Sequence, residues 1–364
     1  MKFTFLSPRY HSNQVHWVSA LQERNHKVDF NVLFRGYTED YGLLEPRVFS
    51  PCSISLLIMK LIGEGGTNMP RGFPNPWLYF KALRESKTDV LIVRDIGRWF
   101  SLLGAVSARL LGIKIIIYSQ TLFYKSYSTK RWIAMTLILK FFDAKWITPV
   151  LGEKSTAKNM PKDIFFVPFA VEQNIRKSNV EHKAIKILSI GKFVKRKNHL
   201  KLLKVIKDLT DDFDNFTLSI IGEVSSDEHK KYLDSCKKYI KENHLESYVK
   251  IQTNIPYKII KEYYLDSDFF VLSASGEPAA ISPLEALGCG IPAICSDTNG
   301  TKNYIRNNKT GLIFKDGSEE SLMKSIAYLL DKKNLENMKK NVLTLRHKAI
   351  SKENFYNSLM RLVT

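Results

Sequence analysis

Short apolar runs alternate with stretches of helical spacing along the whole chain, and this alternation constrains the fold more than any other feature. Residues 3–6, 28–33, 89–93 and 113–118 in the first half, and 185–190, 217–221, 249–252, 269–272 and 293–297 in the second, have the length and apolar character of buried strands. Between them lie segments such as 15–23, with apolar residues at Val15, Val18, Ala20 and Leu21, and 98–111, 200–209 and 257–264, which read as helices. Strand, helix and parallel strand make a βαβ unit, and its repetition predicts doubly wound parallel sheets with ligands bound beyond the carboxyl ends of the strands. At 364 residues the chain has room for two such domains.

Two loops at predicted strand ends carry chemistry. The first follows residues 185–190 and reads Gly191-Lys192-Phe193-Val194-Lys195-Arg196-Lys197-Asn198-His199. Four cations packed this closely repel one another unless an anion lies among them, although a solvated basic loop would look the same. The second follows residues 269–272 and places Glu277 and Glu285 around the small-residue turn Ala279-Ala280-Ile281-Ser282-Pro283. Unpaired N–H groups at a helix start can hold a phosphate while flanking carboxylates take sugar hydroxyls; acidic residues in a first helical turn also occur simply because they suit the dipole.

The second loop resembles the donor-site signature of retaining glycosyltransferases of family 4, which have the GT-B fold. Two Glu stand eight positions apart, followed by Ala286-Leu287-Gly288-Cys289-Gly290-Ile291-Pro292. The resemblance is strong over residues 185–315 and architectural over 1–165. It implies α/β architecture with two Rossmann-like doubly wound domains facing each other across a cleft, and transfer of a sugar from a nucleotide diphosphate sugar to a hydroxyl with retention and without a metal. By the same resemblance Lys192 and Lys197 grip the diphosphate, Glu277 holds the donor sugar, and Glu285 holds the ribose. Gly191, Ala280, Ile281, Ser282 and Leu284 complete the nucleotide-sugar site. Gln120 stands where relatives often carry a histidine near the reacting carbon, and His11 and Asn13 lie in the first loop, which relatives use near the acceptor. That loop lacks the family's glycines, and Lys192 replaces an arginine, which gives up bidentate geometry. The expected partners are a nucleotide-sugar donor, a glycan or lipid-linked acceptor and an anionic membrane surface, in cell-surface polysaccharide or glycolipid assembly. No cofactor and no nucleic acid are expected. Sugar-nucleotide epimerases and phosphorylases share the fold, and a basic non-enzymatic binding protein is the alternative from another class.

The expected domains are 1–171, a linker over 172–184, 185–345, and a terminal helical segment over 346–364 that returns to the first domain. The formal charge of +19 exceeds what solubility requires and points to polyanionic partners. No named nucleic-acid module is present in the sequence. Residues 3–6 are too short for the apolar core of a signal peptide, and the four cysteines show no metal-ligand spacing, so a cytoplasmic, reducing location is expected, with a peripheral membrane position open. Asp266-Ser267-Asp268 has a metal-binding form but reads as the polar step before a buried strand. Residues 54–62 form an apolar run that reads first as a core helix and second as a lipid-facing or acceptor-facing segment. Residues 130–142 combine basic ends with an apolar body and fit a buried helix or a membrane-surface helix equally.

Overall fold

A computed structural model of the chain describes residues 1–10, 12–36, 39, 41–62, 69–152, 161–173, 183–345 and 350–364. It divides into two compact units, residues 1–170 with 352–364, and residues 171–351. Most of the expected linker lies outside the described residues.

In the first unit the elements are β1 (Lys2–Leu6), α1 (Ser12–Gln22), β2 (Lys27–Val32), β3 (Arg47–Val48), α2 (Ser53–Leu61), α3 (Pro76–Glu85), β4 (Val90–Arg94), α4 (Trp99–Leu110), β5 (Lys114–Tyr118), α5 (Thr129–Phe142), β6 (Ala144–Thr148) and β7 (Ile164–Phe166). The seven strands are parallel in the order β3-β2-β1-β4-β5-β6-β7. Every residue of β4 is buried, as a central parallel strand covered on both faces requires. Helices α3, α4 and α5 pack through Leu83, Phe100 and Leu139 onto one face of the sheet, against Val93 and Ile117.

The second unit contains β8 (Ile185–Ile190), α6 (His199–Leu209), β9 (Phe216–Gly222), α7 (Asp227–Glu242), β10 (Val249–Thr253), α8 (Tyr257–Leu265), β11 (Phe269–Leu272), α9 (Ser282–Gly288), β12 (Ala293–Ser296), β13 (Gly311–Phe314), α10 (Glu319–Leu330) and α11 (Lys332–Leu345). Its six strands run parallel in the order β10-β9-β8-β11-β12-β13. Capping follows the local sequence. Ser226 Oγ accepts from His229 N at the start of α7, and Ser318 Oγ from Ser321 N at the start of α10, where Glu319 and Glu320 suit the dipole. The last helix, α12 (Lys352–Val363), belongs to the first unit, where Phe355 stacks on Trp17 with ring centroids 4.8 Å apart.

The expectation of a core helix at residues 54–62 is corrected. In α2 only Ser55 and Met59 are buried, and Ile54, Leu56, Leu57 and Leu61 are exposed. A nine-residue stretch with seven apolar side chains looks the same inside or outside a core. Helix α5 is partly core: Met135, Leu139 and Phe142 are buried, while Ile133, Leu137 and Phe141 are exposed. Helix α3 falls outside the elements foreseen from the sequence. Its start is set by Pro76 and by Asn75, whose Oδ1 accepts from Trp77 N and Leu78 N.

Candidate functional site

Chain order in the second sheet runs one way from β8 to β10 and the other way from β11 to β13, so the switch point lies between β8 and β11, which pair directly. A crevice opens beyond the carboxyl ends of two such strands, because their connections leave in opposite directions. The two loops singled out in the sequence leave these two strand ends.

The β8 loop is short and tightly folded. Lys195–Lys197 form a single 3-10 turn closed by Asn198 at φ 55°. Asn198 Nδ2 donates to Ser273 O (3.2 Å) and Ser275 Oγ (2.6 Å), and Ser273 Oγ donates to Lys197 O (2.9 Å). Ser275 Oγ donates in turn to Asp316 Oδ1 (2.6 Å). The cationic loop is thereby stitched to the segment that carries Glu277. Glycine is required at position 222, where a Cβ would lie 2.4 Å from Gly191 O; a Cβ on Gly191 would crowd the flexible Lys197 side chain, 3.1 Å from its Cδ.

Within this frame Lys197 Nζ donates to Glu277 Oε2 at 2.6 Å, and Arg196 pairs with the same oxygen. Lys197 and Glu277 are largely buried, whereas the Arg196 side chain is half exposed. Burial lowers the Lys197 pKa below the ordinary lysine value, against the Glu277 carboxylate, which raises it. Lys192 pairs with Glu223 at 2.9 Å. The anions among the clustered cations are thus protein carboxylates, one of them Glu277 itself.

His199, the first residue of α6, is buried with Nε2 3.2 Å from both Gly191 O and Lys192 O. Burial pushes its pKa down to about 4, so the ring is neutral at ordinary pH, and its Nε2–H serves the two carbonyls. This holds the backbone at the root of the cationic loop.

Glu285, on α9, accepts from Tyr257 Oη at Oε1 (2.7 Å) and from Tyr264 Oη at Oε2 (2.9 Å). Burial raises its pKa, partly offset by these two hydrogen bonds. Tyr264 Oη also reaches Ser282 O at 3.1 Å, fixing the first turn of the helix to α8. Ile281 and Ser282 form that start and Ala280 O accepts from Thr301 Oγ1. Leu284 is completely buried, and its N–H donates to Ile281 O at 2.8 Å, so it supports the helix start from behind. Asp268 accepts from Lys186 N and from Lys339 Nζ, both at 2.8 Å, and Asp266 pairs with Lys186, so this pair serves the strand edge.

Gln120 and Asn13 belong to the first unit, whose own switch point lies between β1 and β4. Both side chains lie close to the buried hydroxyl of Tyr118, with the Arg94 guanidinium 5.5 Å from that ring's centroid. His11 lies outside the described residues. The structure therefore brings together Lys197 and Glu277, and adds Arg196, His199, Tyr257 and Tyr264, none of which was assigned from sequence. Arg196 carried a signal there, as one of the four clustered cations; the tyrosines carried none.

Residues 170–343 match the family model described as glycosyl transferases group 1. The amylovoran biosynthesis glycosyltransferase AmsK of Erwinia amylovora is 24% identical over 155 residues, 41% of this chain and 37% of that protein. The UDP-Gal:alpha-D-GlcNAc-diphosphoundecaprenol alpha-1,3-galactosyltransferase of Escherichia coli is 24% identical over 285 residues, 72% of this chain and 71% of that protein. Among solved structures, a glycosyltransferase from Rickettsia africae superposes with a TM-score of 0.74 at 15% identity, covering 100% of this chain and 97% of that one. That likeness establishes the fold, and the two Rossmann-like units are those of the GT-B class.

Proposed function

Through residues 170–343 the chain belongs to the glycosyl transferases group 1 family, and from that premise we propose that it transfers a sugar from a nucleotide diphosphate sugar to an acceptor hydroxyl, with retention at the anomeric carbon. The observation that carries the reading is the 2.6 Å contact between Lys197 and Glu277 at the switch point. A desolvated ammonium there is a ready partner for a diphosphate, and a carboxylate beside it is an acceptor for sugar hydroxyls.

In the reaction the acceptor oxygen bonds to the anomeric carbon while the bond from that carbon to the diphosphate breaks. The bonding pair leaves with the diphosphate, which also takes the hydroxyl proton. Lys197 and Arg196 stabilise the negative charge that develops on the leaving group, Lys192 adds to the same field, and Gly191 gives the diphosphate close access to the loop. Glu277 fixes the sugar through its hydroxyls. Glu285, already oriented by Tyr257 and Tyr264, accepts from the ribose. Backbone amides around Ala280, Ile281 and Ser282 contribute further donors, with Leu284 packed behind them, and the chain's own cations take the place of a metal in this scheme. Gln120 is the candidate for the position near the reacting carbon, and His11 and Asn13 are the candidates for acceptor contacts, as the family resemblance implies.

The E. coli relative, by its name, uses UDP-Gal and a diphosphoundecaprenol-linked sugar. Its example supports a UDP-hexose as the first donor to try, a lipid-linked glycan as acceptor, and a role in surface polysaccharide or glycolipid assembly at the cytoplasmic face of a membrane. The test is incubation with a panel of UDP-hexoses and lipid-diphosphate-linked sugars, reading UDP release and the anomeric configuration of the product by NMR. Release of UDP coupled to an α-linked product from an α-linked donor is the expected result. An isomerised donor, a sugar phosphate, or no turnover across the panel contradicts it.

A further inference from the structure

The helical layer of the first unit presents an outer face that is both apolar and basic, and we infer that this face docks on an anionic lipid bilayer. On α4 the residues Leu102, Val106 and Leu110 stand four positions apart, on one side of the helix, and all are exposed; Leu110 is 73% exposed. On α5 the same spacing joins Ile133, Leu137 and Phe141, the last 67% exposed. Helix α2 adds Ile54, Leu57 and Leu61, and α3 adds Trp77 and Leu78 at its first turn. An ordinary soluble helix turns charged residues to this side. Among the described residues of the second unit the exposed large apolar side chains are Ile259, Tyr328 and Leu343, scattered one to a helix.

The apolar stripes adjoin one another. Helix α4 packs against both α3 and α5. Helix α2 is tied to the start of α4 through the intervening segment: Ser55 Oγ accepts from Phe73 N at 2.9 Å, the rings of Phe73 and Trp99 lie 5.6 Å apart, and Trp99 N donates to Pro70 O at 3.0 Å.

Charge selects the occupant. Helices α2, α3, α4 and α5 carry Lys60, Lys81, Arg84, Arg109, Lys130, Arg131 and Lys140, all exposed, and Glu85 as their one carboxylate. Long cationic side chains beside apolar stripes reach lipid phosphates while their stems stay in the interface, and tryptophan suits the headgroup level. A second copy of the chain on this face would set like charges against like across a two-fold axis, which disfavours self-association. No described helix is long and apolar enough to cross a membrane, so the mode is docking in the surface plane. The inference stands on the first unit alone and does not depend on the donor site.

The test is co-sedimentation of the full chain with vesicles of phosphatidylcholine, with and without about 30% phosphatidylglycerol. The wild type is expected to sediment with the anionic vesicles and to stay in solution with the neutral ones, with binding reduced in high salt. Two variants probe the face: Leu102→Ser with Val106→Ser and Leu137→Ser, and Lys130→Glu with Arg131→Glu and Lys140→Glu. All six positions are exposed, and a thermal melt verifies folding. The charge variant is expected to partition at least about a hundredfold more weakly, since each cation near an anionic surface contributes severalfold, and the apolar variant at least tenfold more weakly. Wild-type protein that stays in solution with anionic vesicles, variants that bind as the wild type does, or a dimer in light scattering that the apolar variant abolishes would each overturn the inference. A chain that transfers sugar but ignores vesicles refutes the docking surface alone; one that binds vesicles but no nucleotide sugar refutes the transferase reading alone.

Discussion

Lys197 Nζ lies 2.6 Å from Oε2 of Glu277, a residue 80 positions away in the chain, beyond the carboxyl ends of the adjacent strands β8 and β11. Each partner is largely buried, so removing one leaves the other desolvated beside the half-exposed Arg196. Lys197→Met is expected to destabilise the second unit by about 1–3 kcal/mol, and Glu277→Gln by a similar amount. The double variant is expected to lose less than the sum, because no buried uncompensated charge remains and Arg196, half exposed, stays solvated. Urea unfolding of the four proteins measures the cycle; strict additivity contradicts the pairing.

The buried Tyr264 and the partly exposed Glu285 form the second contact, with the tyrosine serving both the carboxylate and Ser282 O. Tyr264→Phe keeps the ring and deletes the donor, and is expected to cost roughly 1–3 kcal/mol. Tyr257→Phe removes the donor to the other oxygen, Oε1, on a partly exposed residue. Its expected effect is a raised KM for the nucleotide sugar with a small change in stability, read from steady-state kinetics beside a thermal melt.

His199 makes stability depend on pH in a defined direction. Its pKa in the folded chain is about 4, pushed down by burial, below the value near 6.5 of an unfolded histidine. Between those values the unfolded chain binds a proton that the folded chain refuses. The contribution is therefore complete above about pH 6.5 and is lost as pH falls toward 4, by up to roughly 3 kcal/mol. The His199→Gln variant, which keeps an N–H for the two carbonyls, is expected to show a shallower decline of the urea midpoint over this window. An identical pH profile would remove His199 from the account.

Helix α12 closes the first unit from the far end of the chain. Phe355 is fully buried on Trp17, and Lys352 Nζ donates to Ser19 Oγ at 2.7 Å. Phe355→Ala is expected to cost about 3–5 kcal/mol through the cavity it leaves. Truncation after Ser351 is expected to abolish cooperative melting of the first unit, measured by calorimetry.

What could be read from the sequence follows the range of the interactions involved. The strands were legible because parallel strands buried on both faces are continuous apolar runs, as in β4 and β11. The cationic loop and the Glu277–Glu285 loop were legible because their chemistry is local. The pairing of Arg196 with Glu277, 81 positions away, has no local signature. Tyr257 and Tyr264 look like ordinary amphipathic-helix residues until α8 is placed beside α9. Helix α2 was assigned to the core because composition cannot say which layers a fold leaves uncovered.

The central claim is that Lys197 and Glu277 divide the donor between them, the cation taking the diphosphate and the carboxylate the sugar. Isothermal titration of UDP and of a turnover-competent UDP-hexose into the wild type, Lys197→Ala and Glu277→Ala tests it directly. Lys197→Ala is expected to weaken both ligands at least tenfold. Glu277→Ala is expected to weaken the UDP-hexose while leaving UDP unchanged or tighter, because Lys197 and Arg196 are released from their protein partner, and to abolish transfer. UDP affinity that falls in Glu277→Ala as far as in Lys197→Ala, or that is unaltered in Lys197→Ala, contradicts the division.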